Sequence, residues 1–117
     1  MRIGTLAHVA GVTTKTVRFY EQAGLLPEPP RTPSGYRDYP PESADRLVFI
    51  RTAQSAGLSL AEIGELLRLS ETDRPPPPDT ARLISAHLHR IESRIAALTH
   101  TRDALRALRA APGGQGG

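Results

Sequence analysis

Four consecutive prolines, Pro75 to Pro78, interrupt a chain whose sequence is typical of helices on both sides. Each proline ring holds φ at about −65° and removes a backbone donor, so the run cannot lie inside a helix or a central strand. The prolines therefore divide the chain into two parts with a turn between them. The chain has 117 residues, about the length of one small domain, and domains of this size often gain stability by forming oligomers.

Composition excludes several classes of function. Cysteine is absent, which excludes disulfides, thiolate metal sites and thiol redox chemistry. No run of about 18 apolar residues could span a bilayer, and the first residues are too polar for a secretory signal, so we expect a cytoplasmic protein. The net charge is +3, which is compatible with a nucleic-acid partner. Residues 1–72 are net neutral and residues 73–117 carry the excess, so DNA binding by the first part would depend on where its charges lie.

The first 24 residues predict two short helices. The apolar side chains of the first have the i, i+3, i+4 and i+7 spacing of an amphipathic helix: Ile3, Leu6, Ala7 and Ala10. Gly11 ends this helix, and Thr13 is placed to cap a second helix that runs from Thr14 to Gly24. Two short helices joined by a turn that contains glycine are typical of the helix-turn-helix motif.

Residues 25–41 are rich in proline and predict a small β-hairpin, or wing. Ser34 and Gly35 suit its tight turn, and Tyr36 and Tyr39 suit short extended flanks.

Two more helices are predicted before the prolines. Residues 42–56 have apolar side chains at helical spacing, and Gly57 follows them. Ser59 and Glu62 form the pattern of a capping box, in which Ser59 caps a helix and Glu62 occupies its third position. This helix extends to about Leu69.

A long helix is predicted from residue 80 to residue 111, capped by Asp79 or Thr80. Its apolar residues are separated alternately by four and three positions, the a/d pattern of a coiled coil: Ile84, Leu88, Ile91, Ile95, Leu98 and Leu105. Arg102 occupies the a position that the last step skips. A helix of about 30 residues is about 45 Å long, too long to be covered by so small a domain, so we expect these apolar residues to form a dimer interface. The predicted organisation is a domain at 1–70, a proline-rich linker at 71–79, the long helix at 80–111 and a disordered tail at 112–117.

A basic face on the second helix is the first candidate binding site. Lys15, Arg18 and Gln22 lie at i, i+3 and i+7, so they share one face. Such side chains can reach phosphates and guanine edges in the major groove, but a solvated basic face is equally common on helices.

The wing contains a second cluster. Arg31, Tyr36 and Arg37 lie beside its turn, and arginine and tyrosine often contact phosphates. Tyr36 and Tyr39 could instead hold the hairpin on the helices, and we expect Tyr39 to be the more structural of the two.

Five segments together resemble the MerR family of bacterial transcription regulators. They are I-G-x-L-A (3–7), A-G-V (10–12), T-V-R-F-Y-E-Q-x-G-L-L (16–26), R-x3-G-Y-R-x-Y (31–39) and G-L-S-L-A-E-I (57–63). The resemblance covers about residues 2–110, and the combined motifs are highly specific. It implies a mostly α-helical fold, in which a winged helix-turn-helix DNA-binding domain is followed by a long dimerisation helix. That helix pairs with its two-fold mate as an antiparallel coiled coil.

The resemblance also implies a function, that of a homodimeric regulator of transcription. Family members bind a pseudo-palindrome within an overlong promoter spacer, and they bend and untwist this double-stranded DNA so that RNA polymerase can use it. Carried over by position, the implied DNA-contacting residues are Lys15, Arg18, Tyr20, Tyr36 and Arg37, with Arg31 and Arg51 as secondary candidates. Thr14 and Thr16 lie where they could donate to a phosphate, and we interpret Thr16 as a helix cap.

The effector site of metal-sensing members is not matched. They place one Cys just before the dimerisation helix and others just after it, at positions that correspond here to Pro77 and to Pro112 or Gly113. The resemblance therefore implies no thiolate sensor for soft ions such as Cu(I) or Hg(II). The histidines lack the i, i+4 spacing of a helical metal pair and are expected to be exposed: His8, His87, His89 and His100. We predict no metal site and no cofactor.

Two other classes of protein stay open. An architectural or excisionase-like DNA-binding protein would share the winged helix without effector control, although such proteins tend to lack the long heptad helix. A protein–protein interaction module would use the basic face as a solvated surface. An enzyme is not expected, because the sequence has no glycine-rich phosphate loop, nucleophile elbow or metal signature.

Overall fold

A computed structural model of the chain describes residues 1–112. Within this range the chain forms the helices α1 (Ile3–Ala10), α2 (Thr14–Gln22), α3 (Glu42–Ser55), α4 (Leu60–Ser70) and α5 (Pro78–Ala110). The chain divides into two compact units, with the boundary between Pro75 and Pro76. The predicted mostly α-helical fold is confirmed. The predicted disordered tail lies outside the described residues, apart from its first two residues.

A tight turn joins α1 to α2. Gly11 has φ 72° and ψ 32°, a left-handed conformation that favours glycine because no Cβ is present to clash. Thr13 then caps α2, since its Oγ1 accepts a hydrogen bond of 3.1 Å from the backbone N–H of Thr16. The helix-turn-helix and its Thr13 cap are as predicted, although α2 ends at Gln22, two residues earlier than expected.

The hydrophobic core lies entirely within the first unit. Here α1 packs against α2 and α3, and α3 packs against α4. The buried apolar residues come from all four helices and from the segments between them: Leu6, Ala7, Ala10, Val17, Tyr20, Leu25, Leu26, Tyr39, Ala44, Leu47, Ile50, Ala53, Leu58, Ile63 and Leu67. Val12, in the turn between α1 and α2, is partly buried against this core. This packing fixes the orientation of α2 within the unit.

The wing contains less β-structure than predicted. Among the described residues it forms one isolated antiparallel bridge, between Arg31 and Arg37, and no named strand. The tight turn is present, because the N–H of Gly35 donates to the carbonyl of Thr32 at 2.8 Å. The bridge does not extend into strands because the neighbouring prolines have no N–H to donate to a ladder: Pro29, Pro30, Pro33 and Pro40.

The fourth helix, α4, follows α3 and begins with the predicted capping box. Ser59 Oγ accepts from the backbone N–H of Glu62 at 3.1 Å, and Glu62 Oε1 accepts from the N–H of Ser59 at 2.8 Å. Two orphan amide donors at the start of α4 are thereby satisfied.

The start of α5 differs from the prediction. The helix begins at Pro78, with Pro77 in the capping position and no side-chain cap. The predicted caps, Asp79 and Thr80, lie inside the helix, where Asp79 pairs with Arg82. Proline suits the first helical position because its φ fits the helix and the N–H it lacks would have no intrahelical partner. The connection after α4 is therefore shorter than the predicted linker.

Most of the predicted dimer interface on α5 is exposed in the single chain. Leu88, Ile95, Leu98 and Leu105 are 51%, 57%, 59% and 61% exposed. Ile84 and Ile91 are of intermediate burial. No helix in residues 1–112 is long and apolar enough to cross a membrane.

The histidines of α5 do not all match the prediction. His89 and His100 are exposed, but His87 is buried, at 7% exposure, and its Nδ1 lies 2.9 Å from Nη2 of Arg90. The prediction that His87 is exposed is wrong, because helical spacing alone does not show which positions a long helix buries.

Candidate nucleic-acid interface

The exposed face of α2 carries the residues that the sequence spacing predicted to share one face. Lys15, Arg18 and Gln22 are all exposed. Within residues 1–112, no carboxylate forms an ion pair with Lys15 or Arg18. Their charges are therefore available to an anionic partner.

Arg18 and the wing line one groove. It has a volume of about 500 Å³ and is bordered by α2, the start of α1 and the turn of the wing; its lining residues are Arg2, Ile3, Arg18, Arg31, Gly35, Tyr36 and Arg37. Four of these residues were predicted to contact DNA. Lys15 and Arg51 are exposed but do not line the groove. The fold thus concentrates four arginines at one place, in a region (residues 1–72) whose net charge is zero.

Two contacts order the side chains on the wing side of the groove. Arg31 Nη1 donates to the carbonyl of Gly35 at 2.9 Å, so this side chain spans the turn. The guanidinium carbon of Arg2 lies 4.0 Å from the centroid of the Tyr36 ring, a cation–π contact. Sequence reasoning missed Arg2, because it precedes the first helical pattern and has no periodic partner.

A small polar network joins the wing to α2. Arg37 Nη1 lies 2.9 Å from Glu21 Oε2, and the Tyr39 hydroxyl donates to Glu21 Oε1 at 3.2 Å. Hydrogen bonding to Tyr39 and then the charge of Glu21 raise the pKa of Arg37 above its ordinary value. Burial, followed by the charge of Glu21, raises the pKa of Tyr39, which is fully buried. Tyr39 is thus structural, as expected, and Arg37 is anchored to Glu21 at the edge of the groove.

Tyr20 does not share the exposed face of α2. It is 5% exposed and belongs to the hydrophobic core, and its hydroxyl donates to Oε1 of Gln54 on α3. Tyr20 lies two positions after Arg18, which places the two side chains about 200° apart around the helix. Because Tyr20 is buried and its hydroxyl is engaged by Gln54, we leave this predicted DNA contact out of the proposed contact set.

Two threonine hydroxyls form hydrogen bonds at the start of α2. Oγ1 of Thr16 lies 2.9 Å from Oγ1 of Thr13, so the two hydroxyls form a hydrogen bond beside the cap. Thr16 therefore supports the cap, while Thr13 provides the acceptor for the backbone.

The described part of the chain contains no cluster of side chains that could form a metal centre. No group of three or more His, Asp or Glu residues within residues 1–112 is arranged to hold an ion, and the sequence contains no cysteine.

A helix-turn-helix with an exposed basic second helix, a wing beside it and a long helix after it is the architecture of a DNA-binding transcription regulator. Two family models match the chain: "MerR HTH family regulatory protein" over residues 1–70 and "MerR, DNA binding" over residues 44–108. The chain belongs to the MerR family of transcriptional regulators.

Individual relatives agree with this assignment. The chain is 38% identical over 109 residues to the "HTH-type transcriptional regulator ZntR homolog" of Haemophilus influenzae, covering 93% of this chain and 81% of the relative. The structure of the regulator PbrR691 from Ralstonia metallidurans, in complex with lead(II), matches with a TM-score of 0.66 and 36% identity, covering 93% of this chain and 84% of that one. HiNmlR, a family regulator lacking the sensor domain and bound to promoter DNA, has the same fold, with a TM-score of 0.70 at 22% identity over 88% of this chain and 78% of that one.

Proposed function

We propose that this regulator binds promoter DNA through the exposed face of α2 and the adjacent wing. The observation that carries the proposal is the groove in which Arg18 of α2 meets Arg31 and Tyr36 of the wing. A second helix of a helix-turn-helix docks in the major groove, and a flanking basic segment then lies against the phosphates. Lys15 and Arg18 are the proposed contacts of α2. Arg31, Tyr36 and Arg37 are those of the wing, and Arg51 is a secondary candidate.

We further propose that the regulator is a homodimer formed through α5. This helix has 33 residues, about 50 Å at 1.5 Å per residue, and it exposes Leu88, Ile95, Leu98 and Leu105 along its length. Their heptad spacing suits an antiparallel coiled coil, in which Ile84 and Ile91 complete the seam. Burying such side chains against a second copy removes a large apolar surface from water.

The proposed operator is a pseudo-palindrome in a promoter spacer that the dimer distorts. A two-fold dimer presents its two α2 helices to two related half-sites, which is why the operator should be nearly palindromic. Bending and untwisting the spacer costs deformation energy that depends on its sequence, so this energy becomes part of the regulation. RNA polymerase, in the cytoplasm, would then use the realigned promoter.

The effector of this regulator is proposed not to be held by thiolates. PbrR691 was crystallised with lead(II), but the present chain has no cysteine to ligate a soft ion. Pro77, at the N-terminus of α5, offers no side-chain donor atom at the position where metal-sensing members carry a ligand.

Binding to the protein's own promoter fragment tests the proposal. Fluorescence anisotropy should show specific, salt-dependent binding by the wild type, and Arg18→Ala should abolish it while the oligomeric state is unchanged. Arg74→Ala is the matched control, because Arg74 is exposed in the same unit and does not line the groove. Specific footprinting by Arg18→Ala would contradict the assigned site, and no binding by the wild type at low salt would contradict DNA binding altogether.

Transcription in vitro separates a regulator that distorts its promoter from an architectural protein. The proposed mechanism predicts that shortening the spacer to an ordinary length makes transcription independent of the protein. An operator that lies in a spacer of ordinary length would favour the architectural alternative.

A further inference from the structure

We propose that Arg2 is a further DNA-contacting residue, which binds a backbone phosphate while it holds Tyr36 in place. This inference rests on the proposed DNA-binding function and adds a site outside the helix-turn-helix and the wing. It concerns the residue directly before α1, which the structure places at the groove between α2 and the wing.

The charge of the Arg2 side chain is not neutralised within the protein. Arg2 is exposed, and in the described part of the chain it forms no ion pair with a carboxylate. Its contact in the structure is with the Tyr36 ring, which orients the guanidinium without neutralising its charge. By contrast, Arg37 in the same groove is paired with Glu21. Arg2 therefore keeps its N–H donors for an external acceptor.

Arg2 also lies beside two other cations of the proposed interface. Arg2, Arg18 and Arg31 line the same groove, from the position before α1, from α2 and from the wing respectively. Three cations from separate segments at one groove raise the local positive potential in a region whose net charge is zero. A guanidinium can bind a phosphate with two parallel N–H···O bonds, so the proposed ligand is a DNA phosphate and not a base edge.

The contact between Arg2 and Tyr36 preorganises both side chains for binding. Tyr36 is 52% exposed and would be mobile if it stood alone on the turn. The guanidinium 4.0 Å from its ring restricts the rotamers of both side chains before DNA arrives. Less side-chain entropy is then lost on binding, which favours affinity.

A purely structural clamp between Arg2 and Tyr36 is the competing explanation, and the number of phosphates contacted distinguishes the two. The logarithm of the binding constant falls with the logarithm of salt by about 0.9 per neutralised phosphate. A dimer has two copies of Arg2, so Arg2→Ala should reduce the slope by about 1.8. When salt is raised from about 50 to 200 mM, the factor by which affinity falls should then be about 12 times smaller for the variant than for the wild type.

The experiment compares Arg2→Ala, Arg2→Lys and Arg74→Ala on the promoter fragment, using anisotropy across a salt series and ethylation interference on both strands. We expect Arg2→Ala to bind with the shallower slope and to lose interference at one phosphate in each half-site. Arg2→Lys should retain the wild-type slope, since the charge remains, but bind a few-fold more weakly, since a lysine ammonium does not stack on Tyr36 as a planar guanidinium does. Arg74→Ala should match the wild type.

Two outcomes would overturn the inference. One is an unchanged slope and an unchanged interference pattern in Arg2→Ala; the other is a shallow slope in Arg2→Lys, which would show that charge is not the cause. These failures are distinct from failure of the proposed function, in which the wild type and Arg74→Ala would themselves not bind the promoter. Circular dichroism of each variant checks that α1 and the wing remain folded.

Discussion

Removing the cap of α2 should weaken DNA binding beyond its effect on stability. In Thr13→Ala, the backbone N–H of Thr16 loses the acceptor that now lies 3.1 Å away. Loss of a Thr cap costs about 1 kcal/mol of unfolding free energy. For a unit of 75 residues, this lowers the melting temperature by roughly 5 °C.

The cost for DNA binding follows from the position of Lys15 and Arg18. Lys15 lies in the first turn of α2, two positions after the cap, and Arg18 lies about one turn further. If the uncapped first turn of α2 frays, DNA binding must order it again, at a cost of up to about 1 kcal/mol. This cost corresponds to an affinity about fivefold lower for each protomer. The promoter fragment titrated at fixed salt would measure this loss.

Ser59→Ala is the matched control, because Ser59 caps α4 through a hydrogen bond of the same length, 3.1 Å, outside the proposed interface. It should lower the melting temperature by a similar amount and leave DNA affinity unchanged. Thr13→Ser keeps the hydroxyl and should restore both quantities. Equal losses of affinity in Thr13→Ala and Ser59→Ala would refute the reasoning, since the effect would then come from general destabilisation.

The remaining predictions concern the dimer and the wing. Replacing Leu88 and Ile95 with Glu places charges at the seam and should give monomers with an intact first unit; light scattering that still reports a dimer would show that the seam is wrongly assigned. For Tyr39, burial raises the pKa, so the folded state holds the phenol proton more tightly than the unfolded chain does. The resulting stability is complete below about pH 10 and is lost as the pH rises through the folded pKa, so Tyr39→Phe should lose less stability than the wild type in urea unfolding between about pH 9 and 11. Tyr36→Phe, at an exposed position, serves as the control. If Tyr39→Phe lost as much stability as the wild type over this pH range, the account would be contradicted.

Local patterns predicted most of the helices correctly. The Thr13 cap, the Ser59–Glu62 capping box and the turn at Gly11 depend on residues at most four positions apart, so their geometry follows from the adjacent sequence. The predicted start of α5 was wrong because two local preferences compete there. Asp79 is a good cap, but Pro78 fits the first helical position and moved the start of α5 two residues earlier.

The candidate site was predicted only in part. Arg18 and the wing residues Arg31, Tyr36 and Arg37 were named from spacing and resemblance, and the structure brings these four together. The sequence could have shown that Tyr20 and Arg18 face opposite sides of α2, because successive residues of a helix are rotated by about 100°.

By itself, the sequence determined a helix-turn-helix with its caps, a break at the prolines, a heptad pattern on the last helix and the absence of thiolate ligands. These features depend on neighbouring residues or on composition. Only the tertiary structure decided that Arg2 meets Tyr36 and that Glu21 holds Arg37, since packing of α1, α2 and the wing joins residues far apart in the chain. The physical reason is that side-chain contacts between segments depend on how the core orients each segment, and helical periodicity carries no information about that orientation.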